Sequence, residues 1–367
     1  MKKQFLFTAI LMTVALYASA TVYTVNNNGS NTAHFTTIQT AVDSASNGDT
    51  LLVSGSPNIY ASFTLEDKKL TIIGPGWAPD KNIPLTAKVQ GCILRNFTAM
   101  PGSISGSECQ GLVFTATINV TQNGIGQTGA QNISFKRCYF QGGISIGRSL
   151  ANSLFEGCIM SNAISFNQFE TYTNLLFQNN VIQKTFVGST SGMIIGLQNG
   201  TNILFDHNLF YSNNNTMAFS NCDFFTISNN IFVKMNLIST ASSSISFSTF
   251  NNNITYNCGG VHDTAWIFNN NTGTGNIAAT SPQLADSTAV NNGTFNELLD
   301  FAVLGGPANN GGSDGKDIGL LFDATGSLNW ANSHNSRFPR ITVMNITTPT
   351  IAPGGNLNVT VEAKVSQ

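Results

Sequence analysis

The stretches NLLFQNNVI (residues 174–182) and NILFDHNLF (202–210) place Asn, Phe and Asn at the same three of nine positions. The pattern continues on both sides as NISFKRCYF (132–140), NSLFEGCIM (152–160), FFTISNNIF (224–232) and FSTFNNNIT (247–255). Its seventh positions are Cys138, Cys158, Asn180, Asn208, Asn230 and Asn253, which gives steps of 20, 22, 28, 22 and 23 residues. A recurrence of this length is the mark of a solenoid.

Within each unit the apolar letters alternate as in a strand, and a unit this short cannot hold two helices and their turn. The alternation puts the fourth residue (Phe135, Phe155, Phe177, Phe205, Ile227, Phe250) inside, with the residues two before and two after on the same face. The reading is an all-β fold, a right-handed parallel β-helix. Equivalent residues then lie about 4.8 Å apart on successive rungs, so the phenylalanines form an internal stack. The seventh-position Asn is expected to take the left-handed conformation of a corner and to bond its counterpart one rung on.

A second recurring strand appears as GISIG (143–147), AISFN (163–167), MIIGL (193–197) and MAFSN (217–221), with fainter earlier forms in GDTLLVSG, KKLTIIGPGW and GLVFTAT. The 28-residue step implies an insertion around VGSTSGM (187–193), a projecting loop. In FTTIQTAVDSASNGDT (35–50), Ile38, Ala41, Val42 and Ala45 fall at helical spacing before the stop Asn47-Gly48. That helix would cap the open end of the stack, and a capped solenoid is expected to be a monomer. RITVMNI (340–346) and NLNVTVEAK (356–364) alternate like strands and are joined through Pro349, Pro353, Gly354 and Gly355, which reads as a hairpin or a pair of strands packed on the final rungs.

The chain divides accordingly: 1–20 a signal peptide, 21–50 an N-terminal strand and capping helix, 51–325 the β-helix, and 326–367 a C-terminal strand extension. The leader has Lys2 and Lys3, an apolar run from Phe5 to Leu16, and Ala18-Ser19-Ala20 as a cleavage site. A secreted or cell-surface protein is expected, without a lipid anchor or a membrane-spanning helix. Removal of the leader takes Lys+Arg from 16 to 14 against 18 Asp+Glu, a net charge of −4. Charged residues are 9% of the chain, against about 25% in an average domain. Nucleic acid is thereby excluded as a partner, because phosphate binding needs clustered Lys and Arg.

The opening FTTIQTAVDSASNGDTLLVSG, the LTIIGPGW that follows and the Asn-bearing rungs resemble the pectate lyase-like superfamily of secreted right-handed β-helix proteins. SPQLADSTAVNN (281–292) through GGPANNGGSDGKDIGLL (305–321) resembles the closing rungs of bacterial members. For a lyase, the resemblance implies a calcium cluster of acidic residues and an Arg or Lys that abstracts a proton. A hydrolase needs two carboxylates about 5–9.5 Å apart. Between residues 90 and 270 the acids are Glu108, Glu156, Glu170, Asp206, Asp223 and Asp263, none of them adjacent in sequence.

Stacking can still assemble a site. The fifth positions give an outward column Lys136, Glu156, Gln178, Asp206, Ser228, Asn251, in which Lys136 and Glu156 would form a surface ion pair. Asp206-His207 is the most site-like dipeptide, against the plainer reading of a solvated exposed pair. His262-Asp263 reads as loop structure. Arg148, Gln168, Glu170, Asn221 and Asp223 follow the second strand and could share a polar groove. GGSDGKD (311–317) has the alternating Asp of a calcium loop, but turn formation explains the same letters. Six cysteines would permit disulfides after export; Cys138 and Cys158 share a rung position, where parallel side chains favour stacked thiols.

Two readings of function follow. One is a non-catalytic β-helix whose polar flank binds extracellular polysaccharide or a surface partner, with no cofactor. The other is a polysaccharide lyase acting on a uronate polymer with calcium as a possible cofactor, its candidate catalytic residues being Arg148, Glu170, Asp206, His207 and Asp223. The thin stock of acids and bases favours the first.

Overall fold

The computed structural model describes residues 20–29, 32–77, 85–97, 102–184, 192–238, 244–297, 299–322, 340–346 and 359–364. The leader and most of the 187–193 insertion lie outside the described residues. The chain is an all-β parallel β-helix whose strands line up in three long sheets. The first sheet holds positions three to five of each unit, with Phe135, Phe155, Phe177, Phe205, Ile227 and Phe250 in direct register. The second holds positions eight and nine, for example Ile159–Met160 and Val181–Lys184. The third carries Ile144–Ile146, Ile164–Phe166, Ile194–Ile195 and Phe219–Ser220.

The phenylalanine column is fully buried, and its rings stack at 5.3, 4.7 and 4.5 Å from Phe135 to Phe205. Each buried ring stabilises the fold by about 1.5–3 kcal/mol through removal of apolar surface from water. Ile38–Ser44 forms the expected helix, started by the Thr37 side chain and burying Ile38, Ala41 and Val42. Arg340–Ile346 and Val359–Lys364 pair antiparallel, as the alternation suggested; their packing on other rungs lies outside the described residues. The six cysteines are free and buried, as the stacked-thiol reading expected.

Three expectations are corrected. First, the left-handed residue is the sixth of each unit, not the seventh: Arg137, Gly157, Asn179, His207, Asn229 and Asn252 have φ of 51–63°. The turn there ends the alternation, so this residue does not continue the inward face. The seventh residue swings inward instead, and Asn180, Asn208, Asn230 and Asn253 are fully buried. Each Nδ2 donates to the Oδ1 of the next Asn at 2.9–3.1 Å, the run ending on Asn276. Each Oδ1 also accepts the backbone N–H one rung below, from Cys158 upward. This satisfies a buried corner that the sheets leave unpaired.

Second, the fainter early strands do not belong to the GISIG sheet. Thr50–Val53 and Thr71–Ile73 lie in the first sheet and Leu112–Phe114 in the second, while Phe63–Glu66 and Cys92–Phe97 precede Ile144–Ile146 in the third.

Third, residues 281–322 are not closing rungs. They run back as a strap over the outer face of the second sheet. The eighth position of each unit points outward and is apolar: Tyr139, Ile159, Val181, Leu209, Ile231, Ile254. Leu284, Val290, Phe301, Ala308, Ile318 and Leu320 of the strap cover this row and make a second hydrophobic core. The sixth-position column clasps the same strap. Asn179 accepts from Leu321 N (2.7 Å), Asn229 Oδ1 accepts from Ser313 N (2.8 Å), and Asn252 donates to the Gly311 carbonyl (3.2 Å).

Candidate functional site

The five sequence candidates separate into three places. Arg148 and Glu170 meet, with Nη1 donating to Oε1 at 3.0 Å, because Glu170 stands one rung beyond Arg148. Arg148 Nη2 donates to the Gly124 carbonyl at 2.9 Å. Glu170 Oε2 accepts from both the backbone N–H and the hydroxyl of Ser149, at 3.0 and 2.7 Å. Although burial pushes the Glu170 carboxyl up, Ser149 and Arg148 outweigh it and hold the group below the usual carboxylate range. With these donors and acceptors occupied, the pair acts as a brace for the corner.

Asp223 does not join them; its carboxylate accepts the Asn199 N–H at 2.6 Å, and partial burial pushes its pKa up.

Asp206 and His207 are not the solvated pair expected. His207 is 1% exposed, and its Nδ1 donates to the Gly319 carbonyl at 3.1 Å. Its Nε2 lies 3.4 Å from Asp314 and 4.0 Å from Asp206. Burial pushes the Asp206 carboxyl up, while His207 and the Asn229 amide pull it back. The strap closes over His207, so the cluster secures the strap, with Asp206 and Asp314 at its edge. The sequence signal was present but incomplete: the exposure of His207 is decided by Gly319, 112 residues later.

Other candidates resolve into structure. Lys136 is in register with Glu156 but pairs with Glu108 at 3.1 Å. His262-Asp263 lies in a 3-10 segment, where His262 Nδ1 accepts from Leu237 and Ile238 N–H. In GGSDGKD, Gly312 N donates to the Lys316 carbonyl and Lys316 N to Asp314 Oδ1, which is turn chemistry. Among the described residues, no three His, Cys, Asp or Glu side chains converge in a metal-binding group. Trp77 is buried and donates to the Gly157 carbonyl.

The concave feature next to the Arg148–Glu170 brace is an open trough of about 330 Å³ lined by Ser105, Gln131, Ser149, Ala151, Thr171 and Thr173. Its floor is the first sheet, where Gln131, Ala151 and Thr173 are in register, so the groups are held on rigid stacked strands. Ser105 and Ser149 fix the walls by accepting the backbone N–H groups of Gln131 and Thr171. Alongside runs an exposed amide ladder in which Asn174 donates to Asn152 at 2.7 Å and Asn202 to Asn174 at 2.9 Å. Phe169, 86% exposed, stands beside Glu170. None of these hydroxyl and amide residues was singled out from the sequence, since Ser, Thr and Gln carry no motif; only the repeated first-position Asn could have marked the ladder.

No family model and no curated protein matches the sequence. Among solved structures, the chain is similar to the crystal structure of pectate lyase Pel9A, with 12% identity and a TM-score of 0.43 over 83% of this chain and 96% of that one. No helix among the described residues is long and apolar enough to cross a membrane.

Proposed function

We propose that this protein is a non-catalytic secreted or cell-surface β-helix that binds extracellular polysaccharide along the trough and amide ladder. The observation that carries this is the trough itself: an open channel along the axis in which Gln131, Thr171 and Thr173 are set among Gly129, Ala130, Leu150 and Ala151, with no charged side chain in its lining. Sugar hydroxyls are donors and acceptors at once, and neutral Ser, Thr, Gln and Asn side chains match them without the desolvation cost of charge. Arg148 Nη1 is held by Glu170 and Nη2 by the Gly124 carbonyl, Glu170 Oε2 is held by Ser149, and Arg148 Nε is buried without a hydrogen-bond partner; the pair supports the wall rather than supplying a base. Export follows from the leader read in residues 1–20, and extracellular glycan is the matching partner.

The test is direct. The mature protein is run through gels containing dissolved glycans, and retardation is compared with that of Thr173→Val and Gln131→Ala. Retardation by at least one glycan, weakened in both variants, is expected. In parallel, uronate polymers are incubated with the protein with and without calcium. Growth of ultraviolet absorbance from an unsaturated product, abolished in Arg148→Ala, would replace this reading with the lyase.

A further inference from the structure

The column that opens each nine-residue unit carries the next signal. Register places Asn132, Asn152, Asn174, Asn202, Phe224, Phe247 and Asn270 one above another. All seven have left-handed backbone, with φ between 49° and 61°. Asn tolerates that conformation because its short amide can bond locally, whereas a bulky aromatic rarely adopts it. Two rungs nevertheless carry Phe where the others carry Asn.

Nor does burial account for them. Phe224 and Phe247 are 50% and 53% exposed, and their rings stack on each other, centroids 5.6 Å apart and 22° from parallel. Strained backbone that presents an apolar surface to water costs stability and points to a surface used for binding. The pair lies in line with the amide ladder of Asn152, Asn174 and Asn202, so one straight track joins amides to an aromatic plane. Asp223 precedes Phe224, and its carboxylate accepts the Asn199 N–H. Its negative charge, next in the chain to Phe224, disfavours an anionic uronate nearby.

We propose that Phe224 and Phe247 form a stacking platform for the apolar face of a sugar ring, and that the bound glycan is a neutral polymer lying along the solenoid axis. This rests on the polysaccharide-binding reading and specifies its ligand class and its anchor. The C–H groups on one face of a pyranose meet an aromatic face as another apolar surface would, while the ring hydroxyls remain free for Asn174 and Asn202.

The test uses Phe224→Asn/Phe247→Asn, which restores the residue the column carries elsewhere and suits the local φ. The melting midpoint of the double variant should equal or exceed that of the parent, so a loss of binding cannot be ascribed to unfolding. Affinity is measured by calorimetry and gel retardation against hydroxyethylcellulose, xylan and mixed-linkage glucan, with polygalacturonate as the charged comparator. A neutral glycan bound by the parent, and bound roughly tenfold more weakly by the double variant, is the expected result. Equal affinity in both proteins would overturn the platform while leaving polysaccharide binding in place. Binding of polygalacturonate alone would overturn the neutral class, and binding of no glycan would overturn both readings.

Discussion

Replacing Asn208 by Ala removes the middle of the buried amide ladder. Asn208 Oδ1 accepts the Asn180 backbone N–H at 2.9 Å and the Asn180 Nδ2 at 3.0 Å, and its own Nδ2 donates to the Phe177 carbonyl and to Asn230 Oδ1, both at 2.9 Å. Asn230 Oδ1 keeps the Asn208 N–H, at 2.8 Å. The substitution therefore leaves two groups without a partner, the Asn180 N–H and one Asn180 amide proton, and takes one of two hydrogen bonds from the Phe177 carbonyl, which keeps its sheet bond to the Asp206 N–H. A buried polar group deprived of its partner costs about 1–3 kcal/mol, and neighbouring losses do not add fully, so about 3–6 kcal/mol is expected. At about 2 °C per kcal/mol for a chain of this size, the thermal midpoint should fall by roughly 6–12 °C. Asn152→Gly serves as the control, because Asn152 is exposed, bonds only at the surface and has a φ of 49° that Gly accepts. Its cost should stay within about 1 kcal/mol. Asn208→Cys should fall between them, since Cys158 in the same column donates its thiol to the Phe135 carbonyl at 3.5 Å and offers no matching acceptor. Circular dichroism melts of the three variants decide the matter: equal midpoints for Asn208→Ala and Asn152→Gly would refute the claim that the ladder satisfies an otherwise unpaired corner.

At His207, Asn is the residue used by neighbouring rungs, so His207→Asn should keep the strap seated while His207→Ala loosens it; trypsin cutting at Lys316, followed by mass spectrometry, should be faster only in the Ala variant. Glu170 has a folded pKa below its ordinary value of about 4.3, so its contribution is present above that value and is lost as pH falls through the folded one. Glu170→Gln should accordingly flatten the decline of the melting midpoint below about pH 4, and an unchanged slope would deny the brace. Burial pushes the Cys222 and Cys258 thiols up to about 12 and about 11. Native protein should therefore resist a thiol reagent near neutral pH, and all six cysteines should titrate after denaturation; fewer than six would reveal a disulfide.

Much of the fold was legible because a solenoid converts sequence period into spatial neighbourhood. Phe177 and Phe205 had to stack once they shared a strand position, and Asn180 and Asn208 had to follow. What was misread involves choices that periodicity leaves equivalent. In Asn179-Asn180 either residue could take the left-handed turn, and only the packing of Cys138 and Cys158 inside shows that it is the sixth. An apolar pair such as Val181-Ile182 does not say which member faces out, so the strap that covers Val181 was invisible from the rungs. For the site, Arg148 and Glu170 were legible as rung neighbours, whereas Asp206-His207 depended on a segment folding back from far along the chain. Phe224 and Phe247 stood in plain view at the head of their units, but the meaning of that column emerged only with its backbone angles.

The strap also has a mechanical consequence. A stack of rungs held only by its neighbours can be peeled from either end, one layer at a time. Here a single ribbon is buttoned to four successive layers through Asn179, His207, Asn229 and Asn252, so none of the four can detach without tearing the ribbon from the others. Under an axial pull, the segment from 179 to 252 should yield as one block, with a single large force peak rather than a ladder of small ones.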